Sequence, residues 1–145
     1  MRLAAALVCV VAAGPALASP EAEIRGRLEQ WRDDFNAGRA DRVCDLFAPD
    51  LVASYLGRPD IDHAGQCGQL HRALAMPDRK FRYGLEIQDI LADGDLAAVR
   101  LIWTLDVTGP AVTAEHGRDQ GLDLFRRQPD GTWRIARFIA FAEED

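Results

Sequence analysis

The stretch that decides the fold is residues 31–50, which read WRDDFNAGRADRVCDLFAPD. It predicts the end of an amphipathic helix, a stop at Gly38, a second short helix over residues 40–47, and a turn at Pro49-Asp50. An apolar strand segment, residues 51–56, comes next. This order predicts that the helices come first along the chain and that the strands follow.

The chain before this stretch predicts the first helix, residues 20–37. Ser19 suits the N-cap and Pro20 suits the first helical position. The apolar residues recur three or four apart, which places them on one helical face: Ile24, Leu28, Trp31 and Phe35.

Beyond residue 56 the sequence predicts a third helix over residues 62–75, and then a change from helical to alternating periodicity at Phe81. Asp93-Gly94 predicts a hairpin turn, and later strands are predicted over residues 99–107, 118–128 and 132–141. Helices followed by an antiparallel meander indicate an α+β fold.

The N-terminus has the pattern of a secretory signal peptide over residues 1–18. Arg2 is followed by an apolar run that is too short to span a bilayer, and Ala16-Leu17-Ala18 provides a small-residue cleavage site. We expect cleavage after Ala18, one domain over residues 19–145, and a periplasmic or secreted protein.

Charge and cysteine usage narrow the class further. Removal of Arg2 would change the net charge from −6 to −7, and no Lys/Arg cluster is present, which argues against a nucleic-acid partner. No other apolar run is long enough for a membrane span. Cys44 and Cys67 would remain as one pair in an oxidising compartment, so we expect them to form a disulfide.

Five short motifs together resemble the nuclear transport factor 2-like superfamily, which includes ketosteroid isomerase and the SnoaL-like cyclases. They are the aromatic face of the first helix, Asn36-Ala37-Gly38, Leu46-Phe47-Ala48-Pro49-Asp50, Ala92-Asp93-Gly94-Asp95 and Asp130-Gly131-Thr132-Trp133. The resemblance implies a cone-shaped fold in which three N-terminal helices pack on a curved, mainly antiparallel sheet. It also implies an apolar pocket and pairing of two copies.

Ketosteroid isomerase uses a carboxylate base with a Tyr and a protonated Asp as oxyanion donors. Motif matching places Tyr55 at the base, Trp31 at the Tyr donor and Asp123 at the Asp donor. A phenol is a poor base at neutral pH, and an indole cannot accept a proton. We therefore do not expect ketosteroid isomerisation.

Asp123 is the candidate catalytic residue, with Tyr55 as a proton donor. Asp123 lies between Leu122 and Leu124 in an apolar strand, so it is expected to face the cavity with a raised pKa. The alternative is an ion pair with Arg118 or Arg137. The candidate ligand-binding residues are Trp31, Phe35, Tyr55, Leu101, Trp103, Asp123 and Phe138.

No metal or cofactor site is expected. His63, Cys67 and His71 lie four apart on the predicted third helix and span about 12 Å, too far to meet one ion. His116 is expected in a solvated turn. The sequence has no phosphate loop and no serine hydrolase motif.

The preferred function is binding of a small apolar or amphipathic molecule. The alternatives are a pocket enzyme (isomerase, dehydratase or cyclase) that uses Asp123 and Tyr55, and a ligand-free homodimeric interaction module. A homodimer is expected because both faces of the last strand are partly apolar: Trp133, Ile135 and Ile139 alternate with Ala136, Phe138 and Ala140.

Overall fold

The computed structural model describes residues 18–110 and 113–143. The helices and strands, in chain order, are α1 Pro20–Asn36, β1 Phe47–Tyr55, β2 Ile61–Asp62, α2 His63–Leu74, β3 Lys80–Asp93, β4 Leu96–Thr108, β5 Glu115–Arg127 and β6 Trp133–Ala142. The predicted signal peptide, apart from Ala18, lies outside the described residues. Among the described helices, none has the length and apolarity that a membrane crossing needs.

Helix α1 begins and ends where the sequence predicts. The Ser19 hydroxyl accepts a hydrogen bond of 3.2 Å from the Ala22 N–H, and Pro20 occupies the first turn. Glu21 and Glu23 lie at the positive end of the helix dipole. The chain leaves the helix through Gly38, whose φ of 73° suits glycine better than any other residue.

The predicted helix over residues 40–47 is wrong. That segment is a run of turns, in which the Asp45 N–H bonds to the Arg42 carbonyl and the Phe47 N–H bonds to the Cys44 carbonyl, each at 3.1 Å. Strand β1 begins at Phe47, and the Leu46 carbonyl accepts a hydrogen bond from Ile135. Pairing with β6 therefore uses Leu46 and Phe47, the last two residues of the predicted helix.

The prediction of three N-terminal helices is accordingly wrong, and the described residues contain two. Helix α2 matches the predicted third helix to within a residue at each end. It is capped by Asp62, whose carboxylate accepts a 2.8 Å hydrogen bond from the Gly65 N–H. Pro49 and Asp50, predicted as a turn, lie inside β1, where the register with β6 shifts and the proline needs no ladder partner.

The sheet is mixed and has six strands in the order β2-β1-β6-β5-β4-β3. Four of the adjacent pairs are antiparallel, and β1 runs parallel to β6. The β3–β4 hairpin turns at Gly94, where φ is 58°, as the Asp93-Gly94 signal predicts. The fold class is therefore α+β, with β1 inserted beside the last strand.

A bulge at Ala136 changes which side chains of β6 face the helices. Phe125 pairs with Ile135 while Leu124 pairs with Arg137, so Ala136 is the extra residue. Ile135 and Phe138 are consequently both buried, whereas Ile139 is exposed. The expected strict alternation along this strand is wrong at that point.

The core lies between the sheet and the two helices. Helix α1 packs mainly against β3, and α2 packs mainly against β1. The largest fully buried side chains are Trp133, Phe35, Phe125, Ile24, Leu28, Leu51, Leu101, Val43 and Val99. The opposite face of the sheet has no helix among the described residues.

Candidate ligand cavity

A cavity of about 80 Å³ lies between the helices and the inner face of the sheet. Helix α1 contributes Trp31 and helix α2 contributes Gln66 and Leu70. The turns and strands provide the remaining lining residues, which are Leu46, Phe47, Tyr55, Tyr83, Trp103, Asp119, Gly121, Asp123, Ile135, Phe138 and Ala140. Both helices and every strand except β2 therefore contribute to the site.

Aromatic rings make most of the wall. The ring of Trp31 lies 5.1 Å from Trp103 and 5.3 Å from Tyr83, measured between centroids. Tyr55 packs edge-on against Phe138 at 5.3 Å. These distances are in the favourable range for aromatic pairs, so the rings hold one another in place.

Five of the seven predicted ligand-binding residues line this cavity, namely Trp31, Tyr55, Trp103, Asp123 and Phe138. Phe35 and Leu101 do not line it. Both are buried in the core, where the centroid of the Phe35 ring lies 4.8 Å from that of Tyr83 and Leu101 is next to Gly121. Phe35 lies on α1 behind Tyr83, and Leu101 lies on β4 directly opposite Gly121, so both pack against lining residues.

Asp123 is buried in this cavity, with only 4% of its surface exposed. Its cross-strand neighbours are Val99 and Phe138, both apolar. Burial raises the pKa of Asp123 to about 7, and no charge or hydrogen bond from the described residues offsets that effect. The carboxyl group can therefore be either protonated or ionised near neutral pH.

The alternative ion pair of Asp123 does not form. Arg118 pairs instead with Glu143 at 2.5 Å, and Arg137 donates a 2.8 Å hydrogen bond to the Asp50 carbonyl. Both arginines belong to the exposed side of the sheet or its edge. Among the described residues, no basic side chain forms a salt bridge with Asp123.

Tyr55 lies at the end of β1, and its hydroxyl donates a 2.9 Å hydrogen bond to Gln66 Oε1 on α2. Burial raises the pKa of Tyr55, and the nearby carboxylates Asp119 and Asp123 raise it further. Burial also raises the pKa of Tyr83 above its usual value. Both phenols therefore stay protonated near neutral pH and can act as hydrogen-bond donors.

Motif matching places Trp31 at the position of the Tyr donor of ketosteroid isomerase, but the two side chains differ in what they can donate. Its indole N–H donates a 2.8 Å hydrogen bond to the Val43 carbonyl, in the turns that follow α1. The polar edge of the ring is thus already satisfied by the main chain. Trp31 contributes aromatic surface to the cavity and no free hydrogen-bond donor.

Asp119 is a polar lining residue that the sequence reasoning missed. It lies four residues before Asp123 on β5, on the same face, with Gly121 between them. Burial raises the pKa of Asp119, while the positive charge of Arg58 lowers it in part. The period-two pattern that indicated Asp123 applies equally to Asp119 and could have identified it.

Gln66 and Tyr83 were missed for different reasons. Gln66 is a polar residue on a short helix, and only the packing of α2 against β1 brings it to Tyr55. Tyr83 follows the alternating pattern of an ordinary core strand, so its sequence context does not distinguish a wall residue from a core residue.

A disulfide joins Cys44 to Cys67, as predicted, with 5.6 Å between the Cα atoms. Cys44 precedes the lining residues Leu46 and Phe47, and Cys67 follows Gln66 on α2. The bond therefore connects two walls of the cavity.

The histidines do not form a metal site. His63 and His71 lie 3.7 Å and 3.8 Å from the two disulfide sulfurs, and His71 also bonds to the Ala40 carbonyl. Within residues 18–110 and 113–143, no group of three His, Cys, Asp or Glu side chains could hold a metal ion. His116 lies in β5, not in a turn, and pairs with Asp106 at 2.6 Å.

Comparison with known families identifies one match. Residues 28–141 match the SnoaL-like domain. No curated protein matches the chain significantly.

Solved structures with the same fold are numerous. A conserved protein from Planctomyces limnophilus has a TM-score of 0.77 at 17% identity, over 85% of this chain and 95% of that one. A ketosteroid isomerase-like protein from Erwinia carotovora atroseptica has a TM-score of 0.70 at 21% identity, over 86% and 96%. A nuclear transport factor 2-like protein with a cystatin-like fold, from Novosphingobium aromaticivorans, has a TM-score of 0.68 at 20% identity, over 84% and 80%. At these identities the likeness concerns the fold alone.

Proposed function

The chain belongs to the SnoaL-like domain family, and on this premise we propose that it binds a small apolar or amphipathic molecule in the aromatic cavity. The fold hosts proteins of several functions, so the family alone does not decide the ligand. An apolar cavity with a few convergent polar groups is the usual form of a small-molecule site. The cavity here combines aromatic walls with two carboxyl groups and two phenols.

The observation that carries this proposal is the buried carboxyl group of Asp123, which has no charged partner among the described residues. Burying such a group without a partner costs free energy, and proteins retain that cost mainly at functional sites. We propose that Trp31, Tyr55, Trp103 and Phe138 contact the ligand with Asp123, and that Phe35 and Leu101 support them from the core.

Native mass spectrometry of the exported protein tests the proposal. We expect a mass increment from a co-purified small molecule, which denaturing conditions remove. The matched control is the Phe138→Asp variant, in which a third carboxyl group should exclude an apolar ligand from the cavity. A wild-type protein that never carries an adduct, and that shows no saturable uptake of apolar probes, would contradict the proposal.

A second candidate function is a pocket enzyme, an isomerase, dehydratase or cyclase, in which Asp123 transfers a proton. The supporting observation is that a carboxyl group with a pKa of about 7 shares the cavity with the Tyr55 phenol. A general base works best when its pKa lies near the operating pH. Asp123 would remove a proton from a substrate carbon and return it to another atom, while Tyr55 donates a hydrogen bond to the substrate oxygen.

Turnover measurements distinguish this candidate from simple binding. Asp123→Asn should abolish turnover, while Tyr55→Phe should lower it without abolishing it. The rate should rise with pH through about 7 if Asp123 acts as the base. An unchanged rate in the Asn variant would exclude the role of Asp123.

We also propose that two copies pair through the exposed face of the sheet, which would serve either a ligand-binding protein or a ligand-free interaction module. Leu122 and Ile139 are cross-strand neighbours on this face and are 51% and 54% exposed. Leu124 and Phe141 extend the apolar surface. Light scattering of the wild type and of the Ile139→Lys variant tests the pairing, and a monomeric wild-type mass at micromolar concentration would contradict it.

Export to the periplasm or outside the cell is part of the same proposal. The Cys44–Cys67 disulfide is compatible with an oxidising compartment. N-terminal sequencing of the protein from the exported fraction should begin at Ser19. A protein that is found in the cytoplasmic fraction and still carries residues 1–18 would contradict the proposed export.

A further inference from the structure

We propose that the ligand of this cavity is a small organic cation, an alkyl or aryl amine whose ammonium group is held by Asp123 and enclosed by aromatic rings. The inference rests on the proposed function, because it names the chemical class of the molecule that the cavity binds.

The charged residues that line the cavity are all acidic. Asp119 and Asp123 both line it, and none of the described lining residues is a lysine, an arginine or a histidine. Arg58 acts on Asp119 from outside the lining, at the exposed turn after β1. An anionic ligand would be repelled here, and a neutral one would leave Asp123 uncompensated whenever its carboxyl group is ionised.

Asp123 has no positively charged partner among the described residues, and a bound cation would provide one. The other titratable groups that line the cavity are Tyr55 on β1, Tyr83 on β3 and Asp119 on the same strand as Asp123, and all three are acids. Its neighbours on β4 and β6, Val99 and Phe138, are apolar, and the lining residues of the helices carry no charge. An ammonium ion would convert a desolvated lone carboxylate into a hydrogen-bonded ion pair.

The aromatic walls of the cavity also favour a cation, as the Asp123 carboxylate does. Trp31, Tyr83 and Trp103 cluster with centroids 5.1 to 5.7 Å apart, and the Trp31 N–H is turned away to Val43. Aromatic rings within about 6 Å attract an ammonium group, and indoles do so most strongly. The Tyr55 hydroxyl oxygen can also accept a hydrogen bond from the ligand.

The size of the cavity restricts the amine. Its volume of about 80 Å³ is about half that of the roughly 150 Å³ apolar cavity that binds a benzene molecule. A short monoamine fits this volume, whereas a peptide or a polyamine requires the walls to move. Propylammonium, propan-1-ol and propionate are therefore matched probes, because they have similar size and differ in charge.

Titration of the purified protein with each probe, followed by NMR, tests the inference. At about pH 8 we expect propylammonium to bind about tenfold or more tightly than propan-1-ol, and propionate to bind weakest. Asp123→Asn should remove the preference for propylammonium over propan-1-ol. Asp89→Asn is the matched control, because Asp89 is exposed on β3 and its loss changes the net charge equally.

The pH dependence gives a second readout on the wild type alone. A cation binds the ionised carboxylate, so the affinity for propylammonium should fall roughly a hundredfold from about pH 8 to about pH 5. A neutral ligand that accepts a hydrogen bond from protonated Asp123 would instead bind more tightly at low pH.

The outcomes separate this inference from the proposed function. Equal affinities for propylammonium and propan-1-ol, a preference that survives Asp123→Asn, or affinity for the amine that rises toward acid would overturn the inference and leave small-molecule binding in place. Absence of binding by all three probes at up to about 20 mM would overturn both.

Discussion

The side chain of Asn36 forms two hydrogen bonds with the main chain of Tyr83, both 2.8 Å long. The amide N–H donates to the Tyr83 carbonyl, and the amide oxygen accepts from the Tyr83 N–H. Asn36 is the last residue of α1, and Tyr83 belongs to β3. The end of the helix thus docks on the strand that carries an aromatic wall of the cavity.

The first prediction concerns this contact. Asn36→Ala leaves the Tyr83 N–H and carbonyl without their partner, so it should lower the free energy of unfolding by about 2 kcal/mol. Probe binding should weaken as well, because the Tyr83 ring loses its anchor. Urea denaturation checks the stability, and Gln88→Ala, an exposed position on the same strand, should change it by less than about 0.5 kcal/mol. Equal effects of the two variants would refute the anchoring role.

The second prediction is that Asp123→Asn stabilises the protein above neutral pH. The pKa of Asp123 is about 7 in the folded protein and about 3.9 in an unfolded chain, so the folded state holds the proton more tightly. The stability of the wild type should therefore fall as pH rises from about 4 to about 7. The Asn variant does not titrate and should exceed the wild type by up to roughly 4 kcal/mol above pH 8.

Thermal unfolding of both proteins across this pH range measures the effect. Well below pH 4 Asp123 is protonated in both states, so the two curves should meet there. Asp89→Asn should follow the wild type throughout. An Asn variant that is much less stable than the wild type at neutral pH would mean that Asp123 has a basic partner.

The third prediction concerns the disulfide. Replacement of Cys44 and Cys67 by alanine removes a cross-link between residues 23 apart, which should cost roughly 3 kcal/mol through the entropy of the unfolded chain. The wild type with reductant should approach the same stability in urea denaturation. Because the bond joins two walls of the cavity, probe binding should also weaken. Peptide mapping that finds two free thiols in exported protein would exclude the bond.

The fourth prediction compares two glycines of β5. A Cβ at position 121 would lie 2.9 Å from Leu101 Cδ1 and 3.6 Å from the Asp123 carboxyl oxygen, whereas a Cβ at position 117 would lie 3.9 Å from the nearest atom. Gly121→Ala should therefore cost about 1 to 3 kcal/mol and reduce probe binding, because Leu101 must move within a packed core. Gly117→Ala should leave both nearly unchanged. Calorimetry and the NMR titration give the two readouts, and similar results for the pair would contradict the packing argument.

The fifth prediction compares two phenols of the cavity. Tyr55→Phe removes the donor to Gln66 Oε1, so it should cost about 1 kcal/mol in the free energy of unfolding. Tyr83→Phe is the control, because within the described residues no hydrogen bond to the Tyr83 hydroxyl is found. Urea denaturation measures both variants. A larger loss of stability for Tyr83→Phe than for Tyr55→Phe would contradict the prediction that the Tyr55 hydroxyl forms the stabilising hydrogen bond.

Local signals determined much of the fold. The Ser19 cap, the stop at Gly38, the Asp93-Gly94 turn and the change of period at Phe81 act over a few residues, and each matches the structure. The disulfide followed from the survival of two cysteines after the predicted cleavage. The position of Asp123 on the inner face followed from alternation along one strand, which is also a local property.

Long-range pairing decided the rest. Residues 40–47 carry a helical pattern, but Phe47 pairs with Ile135 of β6 and begins a strand, so a partner 88 residues away overrides the local pattern. The bulge at Ala136 reversed the expected faces of β6. The packing of α2 on β1 brought Gln66 to Tyr55.

The sequence by itself determined the family, the elements that carry local caps and turns, and the inward carboxyl group of Asp123. Only the tertiary structure decided that no basic side chain of the described residues pairs with that group, and that Asp119 shares its cavity. The physical reason is that caps, turns and periodicity act within one segment. The partner, burial and pKa of a carboxyl group depend instead on which other segments pack against it.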